Sequence, residues 1–134
     1  MQRYKKITNS QFCEFKIIEV DEASNCKNLA EKSEIEGELL LKKAKGLIIA
    51  LDGKGQLYSS EQIAQYVDIS MTNGISEISF LIGGSNGLSK KVLDEAKLIL
   101  SFGKITFPHQ LFRVVLTEQI YRAFTIINGL PYHK

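Results

Sequence analysis

The chain has 134 residues, of which 44% are hydrophobic and 24% charged, and a net charge of +2. This is the composition of an ordinary globular domain rather than of a disordered or fibrous chain. No apolar run approaches the ~18 residues of a membrane-spanning helix, and the basic start, MQRYKKITNS, lacks the apolar segment of a signal peptide. We expect a single cytoplasmic domain over residues 1–134 with reduced, structural cysteines.

Charge is distributed unevenly along the sequence. Residues 101–134 carry four Lys or Arg and one Glu, whereas residues 61–100 carry three basic and five acidic residues. The overall charge is too small to indicate nucleic-acid binding by itself. A polyanionic partner near the C-terminal segment is compatible with the local excess of positive charge.

The first half of the chain predicts a strand, a helix and a second strand. FKIIEV (15–20) is rich in β-branched residues and predicts a strand. Residues 28–45 mix leucines with many Glu and Lys, and predict an amphipathic helix that ends before Gly46. GLIIALD (46–52) is an uninterrupted apolar run typical of a strand buried on both faces, and DGKG (52–55) predicts a turn.

The second half continues the alternation of helices and strands. Ser59 and Gln62 form a capping-box pattern that begins a helix reaching about Met71. ISFLI (78–82) predicts another buried strand. Residues 89–100 then predict a helix, SFGKITF (101–107) fits either a strand or a loop, and a long helix is predicted over 109–128.

Together these elements predict an α/β fold with a mainly parallel sheet flanked by helices. Such sheets bind ligands outside the carboxyl ends of their strands, which here are Leu51–Gly53 and GGSNG (83–87). GGSNG lets a ligand approach the backbone closely, because glycine has no Cβ. It matches neither G-x-G-x-x-G nor a Walker loop, and a plain turn explains it equally well.

The C-terminal helix is apolar on nearly every side. At ~100° per residue, one face carries Leu111, Val115, Glu118, Arg122 and Ile126. We expect a sheet to bury one side and a partner subunit another. Glu118 and Arg122 are spaced i,i+4 and fit either an ordinary surface ion pair or a functional or interface pair, because an ion pair among apolar neighbours is costly.

Both histidines lie outside any recognisable nucleophile or zinc pattern, so neither hydrolytic nor metal chemistry is indicated and no metal is expected. His109 begins the last predicted helix, and His133 lies in the terminal PYHK (131–134). On residue types alone, a frayed and chemically idle end is the favoured interpretation of this tail.

Three segments, taken in order, carry a specific resemblance: FLIGGSNGL (80–88), LSFGKITFPHQLFRVVLTEQIYRAF (100–124) and PYHK (131–134). Together they resemble the bacterial ribosomal large-subunit methyltransferase H family. These SPOUT-class enzymes transfer a methyl group from S-adenosylmethionine to N3 of a pseudouridine in 23S ribosomal RNA. The resemblance extends, more thinly, through GLIIALDGKG and EFKIIEV, and so covers nearly the whole chain.

The resemblance implies a fold that general topology rules would exclude, a deep trefoil knot at the C-terminal end. The knot forms the cofactor pocket, in which backbone groups of three loops hold S-adenosylmethionine. In this sequence the three loops correspond to Leu51, Gly83, and the stretch Phe102, Gly103, Lys104, Ile105, Thr106 and Phe107. The resemblance also implies a homodimer in which the tail of one subunit helps to complete the site of the other.

The sequence departs from the family pattern in two places. Gly103 stands where close relatives often have Ser, and cofactor binding is expected to survive this change if the contacts are made by the main chain. Family members usually carry a strand and most of a helix before the segment that matches YKKI. We expect these elements to be missing here, which would leave backbone groups unpaired in the sheet.

The resemblance assigns the chemistry to Glu118, Arg122, Tyr132 and His133. A sulfonium methyl is already activated, so such an enzyme mainly positions its reactants. N3 must also lose its proton, which a base or donors to the flanking carbonyls would assist. Our hypothesis is that Arg122 binds RNA phosphate or base and Glu118 orients it. Tyr132 and His133 would contact the target nucleotide, with the identity of the base left open.

Two other functions remain compatible with the residues. One is a non-catalytic nucleotide- or RNA-binding module on the same scaffold, and the other is a structural dimer that binds neither ligand. Binding of S-adenosylmethionine separates them from the methyltransferase. The modest charge predicts a substrate within the assembled ribosome rather than free RNA.

Overall fold

Helices and strands alternate along most of the chain in a computed structural model, which describes residues 2–4, 15–18, 28–84 and 87–134. The elements in chain order are β1 (Gln2–Tyr4), β2 (Phe15–Ile17), α1 (Leu29–Lys43), β3 (Leu47–Leu57), α2 (Ser60–Thr72), β4 (Ile78–Ile82), α3 (Lys90–Glu95), β5 (Leu98–Ser101) and α4 (His109–Ile127).

The parallel sheet is built around β3, which pairs with β4 on one side and with β5 on the other. Leu51 of β3 lies opposite both Ile82 of β4 and Leu100 of β5. The three strands therefore reach the same carboxyl edge together. This confirms the predicted α/β class with a parallel sheet and helices around it.

A second, smaller sheet accompanies the parallel one. β1 and β2 form an antiparallel pair in which Gln2 lies opposite Ile17. The predicted strand FKIIEV is confirmed over Phe15–Ile17, while Glu19 and Val20 lie outside the described residues, as do both cysteines.

Burial differs between the two strands that were predicted to be buried on both faces. In β3, Ile49, Ala50 and Leu51 are all buried, as predicted. In β4 the prediction is wrong, because only Leu81 is buried and the other residues are half-buried. Among the described strands β4 has β3 as its one neighbour, which explains the difference.

The predicted turn at DGKG is a bulge inside a longer strand. Leu51 and Gln56 both pair with Leu100, so the residues between them leave the ladder and the strand resumes to Leu57. The Asp52 carboxylate accepts the backbone N–H of Lys54 at 2.9 Å, which closes the bulge locally. The prediction identified the irregularity but ended the strand too early.

The predicted helix over 89–100 is wrong in its second half. The Ser89 hydroxyl accepts the backbone N–H of Val92 at 3.3 Å and begins α3, but the helix ends at Glu95. Leu98 and Leu100 then enter β5, where they are 6% and 1% exposed. Leucine favours helices intrinsically, and parallel pairing with β3 overrides that preference.

The remaining helix boundaries agree closely with the sequence signals. Both hydrogen bonds of the Ser59 capping box are present. The Ser59 hydroxyl accepts the N–H of Gln62 at 3.1 Å, and the Gln62 side chain accepts the N–H of Ser59 at 2.8 Å. The Asn28 side chain accepts the N–H of Glu31 at 2.8 Å and precedes α1. The last helix ends at Ile127, one residue before the predicted limit.

The core lies between the parallel sheet and the helices α2 and α4. One apolar cluster joins buried residues of β3 and β5 to others on the two helices: Ile63, Ala64, Val67, Leu116, Ile120, Ala123 and Phe124. Other apolar residues of α4 stay in contact with solvent, since Leu111 and Val114 are 49% and 64% exposed. The described chain therefore covers one side of α4 and leaves the other open.

Gly46, between α1 and β3, is the glycine whose backbone conformation most restricts substitution. Its φ is 70°, and a Cβ at this position would collide with the carbonyl oxygen of Glu77. We predict that Gly46→Ala lowers the free energy of unfolding by about 1–3 kcal/mol. The matched control Gly53→Ala, where a Cβ would meet open space, should change it by less than about 0.5 kcal/mol. Urea unfolding measures both, and equal losses would contradict this role of Gly46.

Candidate functional site

An ion pair on α4 forms the centre of the candidate site. Glu118 and Arg122 lie one helical turn apart, and the Nε and Nη2 atoms of Arg122 donate to Glu118 Oε2 at 3.1 and 2.7 Å. Both side chains are only partly exposed, at 33% for Glu118 and 25% for Arg122. A forked, partly desolvated contact of this kind is more directional than an ordinary surface pair.

The chain turns sharply after α4 and brings the tail back against this ion pair. Gly129 has a φ of 68°, and the N–H of Leu130 donates to the carbonyl of Thr125 at 2.8 Å, which ends the helix in a left-handed turn. Tyr132 and His133 thereby reach the surface of α4. The interpretation of PYHK as a frayed end is wrong for this structure, because specific contacts hold both side chains.

Tyr132 binds the ion pair through both its hydroxyl and its ring. The hydroxyl donates to Glu118 Oε2 at 2.9 Å. The ring lies under the guanidinium of Arg122, 4.9 Å from its central carbon, and packs edge-to-face on Tyr121 with 4.9 Å between centroids. Cation–π and hydrogen-bonding contacts therefore act together on one aromatic side chain.

His133 is held between two charged groups on different helices. Arg122 Nη1 lies 2.9 Å from His133 Nδ1, and His133 Nε2 lies 3.2 Å from Glu61 Oε2 on α2. Because a guanidinium only donates, Nδ1 must accept, and the ring proton is then on Nε2, where it is donated to Glu61. The contacts therefore select the neutral Nε2–H tautomer.

Glu61 is the residue of this cluster that sequence reasoning missed. It lies in the first turn of α2, next to the Ser59 cap, and its side chain is 66% exposed. An acidic residue at a helix N-terminus is common and indicates nothing by itself. Its pKa is lowered by the backbone N–H at the helix start and by His133.

The electrostatics of the cluster indicate the protonation states of Glu118, Arg122 and Tyr132 near neutral pH. Donation from Arg122, supported by Tyr132, holds the pKa of Glu118 below its usual range, so it stays a carboxylate. The same carboxylate raises the pKa of Arg122 and of the Tyr132 hydroxyl, which remain donors. Arg122 also lies against the Nδ1 lone pair of His133.

The three predicted cofactor segments meet at the carboxyl edge of the sheet. Ile82 of β4 and Leu100 of β5 both lie opposite Leu51. Gly83 directly follows Ile82, and Phe102 comes shortly after Leu100. This is the edge at which parallel α/β sheets bind ligands. The tips of β3 and β4 were predicted to meet here from the sheet alone, whereas the stretch 102–107 was added by the family resemblance.

A glycine is needed at position 83 because the chain at Gly87 and Leu88 returns close to it. A Cβ there would lie 2.7 Å from both the carbonyl oxygen of Gly87 and the N–H nitrogen of Leu88. The returning chain thus requires glycine at this position, as expected for the plain turn that was one of the two interpretations of GGSNG. Ser85 and Asn86 lie outside the described residues.

The stretch 102–107 is a loop that is anchored at both ends. Phe102 and Phe107 pack on Phe112 of α4, with ring centroids 5.3 and 5.7 Å away. The middle of the loop is exposed at Lys104, Ile105 and Thr106. The ambiguity between strand and loop is thereby resolved: Ser101 ends β5 and a loop follows.

A hydrogen-bonded turn at Ser101 starts this loop. Its hydroxyl accepts the N–H of Gly103 at 3.1 Å and lies 3.3 Å from the carbonyl of Gly53 in the β3 bulge, to which it can donate. Gly103 has a φ of 110°, a conformation that favours glycine. Glycine at position 103, where close relatives often have Ser, therefore suits the backbone conformation of this turn.

A cavity of about 680 Å³ lies on another face of the protein. It is bounded by β4, by residues 15–18 and by parts of α1, α2 and α4, including His109 and Arg113. Gly84 contributes to its wall, but Leu51, Gly83 and the 102–107 loop do not. The cavity is thus separate from the predicted cofactor segments.

The described residues form neither a metal-binding cluster nor a membrane-spanning helix. Within residues 2–4, 15–18, 28–84 and 87–134, no group of three or more His, Cys, Asp or Glu side chains is placed to hold a metal ion. In the same part of the chain, no helix is long and apolar enough to cross a bilayer.

A parallel sheet with three loops at its carboxyl edge, next to a charged cluster, defines an α/β protein of the ligand-binding class. Comparison with known proteins makes the assignment specific. A family described as "Predicted SPOUT methyltransferase" matches residues 1–133. The chain belongs to the SPOUT methyltransferase family, whose members use S-adenosylmethionine.

Individual relatives are similar over most of the chain. A protein of Limosilactobacillus reuteri (strain DSM 20016) named "Ribosomal RNA large subunit methyltransferase H" is 50% identical over 131 positions, covering 92% of this chain and 82% of the relative. Proteins of the same name from Clostridium botulinum strains Alaska E43 and Okra are 46% and 48% identical, each covering 93% of this chain and 83% of the relative. The expected family resemblance is confirmed.

The depressed pKa of Glu118 predicts how its contribution to stability depends on pH. A carboxyl whose pKa is lower in the folded state stabilises that state fully above its unfolded pKa of about 4.3. This stabilisation is lost as the pH falls through the lower, folded pKa. Glu118→Gln should therefore reduce stability at about pH 7 and have no effect at about pH 2.

Urea unfolding of both chains across this pH range measures the difference. Glu95→Gln is the matched control, since Glu95 is an exposed carboxylate on α3, and it should change little at any pH. A loss for Glu118→Gln that is the same at both ends of the range would show that the charge of Glu118 does not stabilise the fold.

Proposed function

We propose that this protein transfers a methyl group from S-adenosylmethionine to N3 of a pseudouridine in 23S, large-subunit ribosomal RNA, on the assembled ribosome in the cytoplasm. One observation carries the proposal: Arg122 contacts Glu118, Tyr132 and His133 at once. These are the side chains that the resemblance assigns to the chemistry, and they come from two separate segments of the chain. The names of the similar proteins add support for ribosomal RNA as the substrate.

The residues at the carboxyl edge suit a cofactor that is held mainly by main-chain groups. Leu51, Gly83 and the 102–107 loop would hold S-adenosylmethionine, with apolar surface from Phe102 and Phe107. A Cβ at Gly103 would meet nothing within 4 Å, so the backbone there is open to a ligand. When bound, the cofactor supplies a methyl group activated by its sulfonium.

Within the cluster, Arg122 would bind the target nucleotide or its phosphate, and Glu118 would keep the guanidinium in a fixed orientation through its forked contact. Tyr132, whose raised pKa keeps it protonated, can donate to a carbonyl beside N3. His133 Nδ1 can accept the N3 proton once Arg122 has moved from it. Substrate binding would therefore begin with an exchange of the partners of Arg122.

A homodimer is the second part of the proposal. Leu111 and Val114, the exposed apolar residues of α4, share a helical face with Glu118 and Arg122. A second copy that covers this face would lie beside the charged cluster. Its tail could then help to complete the site, as the family resemblance implies.

The proposed fold of the active enzyme includes a deep trefoil knot of the C-terminal segment, which is supported by the resemblance over residues 100–124. Residues 1–134 would form a single methyltransferase domain.

Transfer of labelled methyl groups to ribosomes from a strain that lacks the modification tests the function directly. The assay compares this chain with a version extended at its N-terminus by the corresponding segment of a relative. Label at a pseudouridine of 23S ribosomal RNA is the expected result. If both folded versions transfer no label and show no heat of binding with S-adenosylmethionine, the non-catalytic binding module is the better explanation.

His133→Ala separates chemistry from cofactor binding. We predict an unchanged affinity for S-adenosylmethionine by calorimetry, because His133 contacts α2 and α4 rather than the sheet edge. Methyl transfer should fall by about 10²–10⁴-fold, the usual effect of removing a general base. His109→Ala, which removes the exposed histidine at the start of α4, should retain the wild-type rate. Wild-type turnover in His133→Ala would exclude a catalytic role for His133.

A further inference from the structure

The first turn of α2 is joined to the charged cluster by two separate hydrogen-bonded links. The Ser60 hydroxyl donates to the Gln119 side chain at 2.7 Å, and Gln119 donates to Glu118 at 3.0 Å. Glu61 accepts from His133 Nε2 at 3.2 Å, and Nδ1 of the same ring accepts from Arg122. The beginning of α2 thus contacts both the carboxylate and the imidazole of the proposed site.

His133 has charged groups on two sides of its ring. Glu61 faces it from α2, Arg122 faces it from α4 with Glu118 behind, and Tyr132 is its neighbour in the tail. The His133 side chain is 24% exposed, whereas that of Glu61 is 66% exposed. The contact between His133 and Glu61 is too exposed to contribute much to stability. Its role would be to orient the imidazole ring.

We propose that Glu61 is a positioning residue for His133: it holds the ring as the Nε2–H tautomer and directs the Nδ1 lone pair towards the target nucleotide. The proposal rests on the proposed function and extends it to a residue outside the motifs that carry the resemblance. A carboxylate bound to the far nitrogen of a catalytic imidazole is a recurrent way to select a tautomer and to stabilise the imidazolium.

The proton and charge balance of the step is consistent with this role. The N3 proton goes to Nδ1, N3 bonds to the methyl carbon, and the carbon–sulfur bond breaks with its electron pair remaining on sulfur. The positive charge of the sulfonium is thereby replaced by that of the imidazolium. Glu61 lies against Nε2, the nitrogen that keeps its proton throughout, and so stabilises the ring as it becomes charged.

Two substitutions of Glu61 separate its charge from its hydrogen bond. Glu61→Gln keeps an acceptor and removes the charge, whereas Glu61→Ala removes both. The matched control is Asp68→Asn, which neutralises an exposed carboxylate further along the same helix. The assay is single-turnover methyl transfer to ribosomes that lack the modification, as a function of pH and at saturating S-adenosylmethionine.

Glu61→Gln should lower the plateau rate by about 10-fold, the usual scale of an orienting carboxylate, and Glu61→Ala should lower it further because the acceptor is lost as well. Cofactor affinity and melting temperature should not change, and Asp68→Asn should match the wild type. A plateau rate that does not fall in Glu61→Ala, or an equal loss in Asp68→Asn, would overturn the proposal.

A second measurement does not depend on methyl transfer. Nitrogen-15 NMR of the imidazole in the free protein, at a pH where the ring is neutral, reports which nitrogen carries the proton. Arg122 also favours the Nε2–H form through its contact with Nδ1, so the comparison is made in the Arg122→Ala background. We expect the Nε2–H form when Glu61 is present and a mixture of tautomers when Glu61→Ala is added. An unchanged tautomer after Glu61→Ala in that background would refute the positioning role even if the enzyme is active. If the wild type transfers no methyl group while the tautomer changes as expected, the proposed function fails and the structural link remains.

Discussion

The contacts of Arg122 are the interaction on which the candidate site depends. A guanidinium presents several N–H donors in a fixed plane, and here they reach Glu118 on the same helix and His133 in the tail. The face of the same group lies against Tyr132. A planar, permanently charged side chain at this position can therefore hold α4 and both side chains of the tail at once.

The sheet imposes a second constraint, which is independent of the first. Because Leu51 lies opposite both Ile82 and Leu100, the segments after β4 and β5 leave the sheet at the same edge, on either side of β3. Phe102 and Phe107 then attach the last loop to Phe112 on α4. The helix that carries the charged cluster is therefore also the helix that anchors the proposed cofactor loop. In the proposed function, this helix would link methyl-donor binding to the handling of the nucleotide.

Local signals predicted those parts of the fold in which neighbours in sequence are also neighbours in space. The Ser59 capping box and the apolar run of β3 are of this kind. β5 was missed because its leucines favour a helix until β3 provides a partner, and the bulge at Asp52 depends on the same pairing. The contact between Glu61 and His133 was beyond any local pattern, since it exists only after α2 and α4 have packed. The resemblance named Glu118, Arg122, Tyr132 and His133, but the contacts of Tyr132 and His133 with α4 follow only from the turn at Gly129.

A double-mutant cycle on methyl transfer tests most directly whether Arg122 and His133 act as one unit. Single-turnover rates on ribosomes that lack the modification would be measured for Arg122→Ala, His133→Ala and the double variant. If Arg122 and His133 work through their mutual contact, the double variant should be about as slow as the slower single variant. Losses that multiply would show that the two residues act independently, and would contradict a site organised around Arg122.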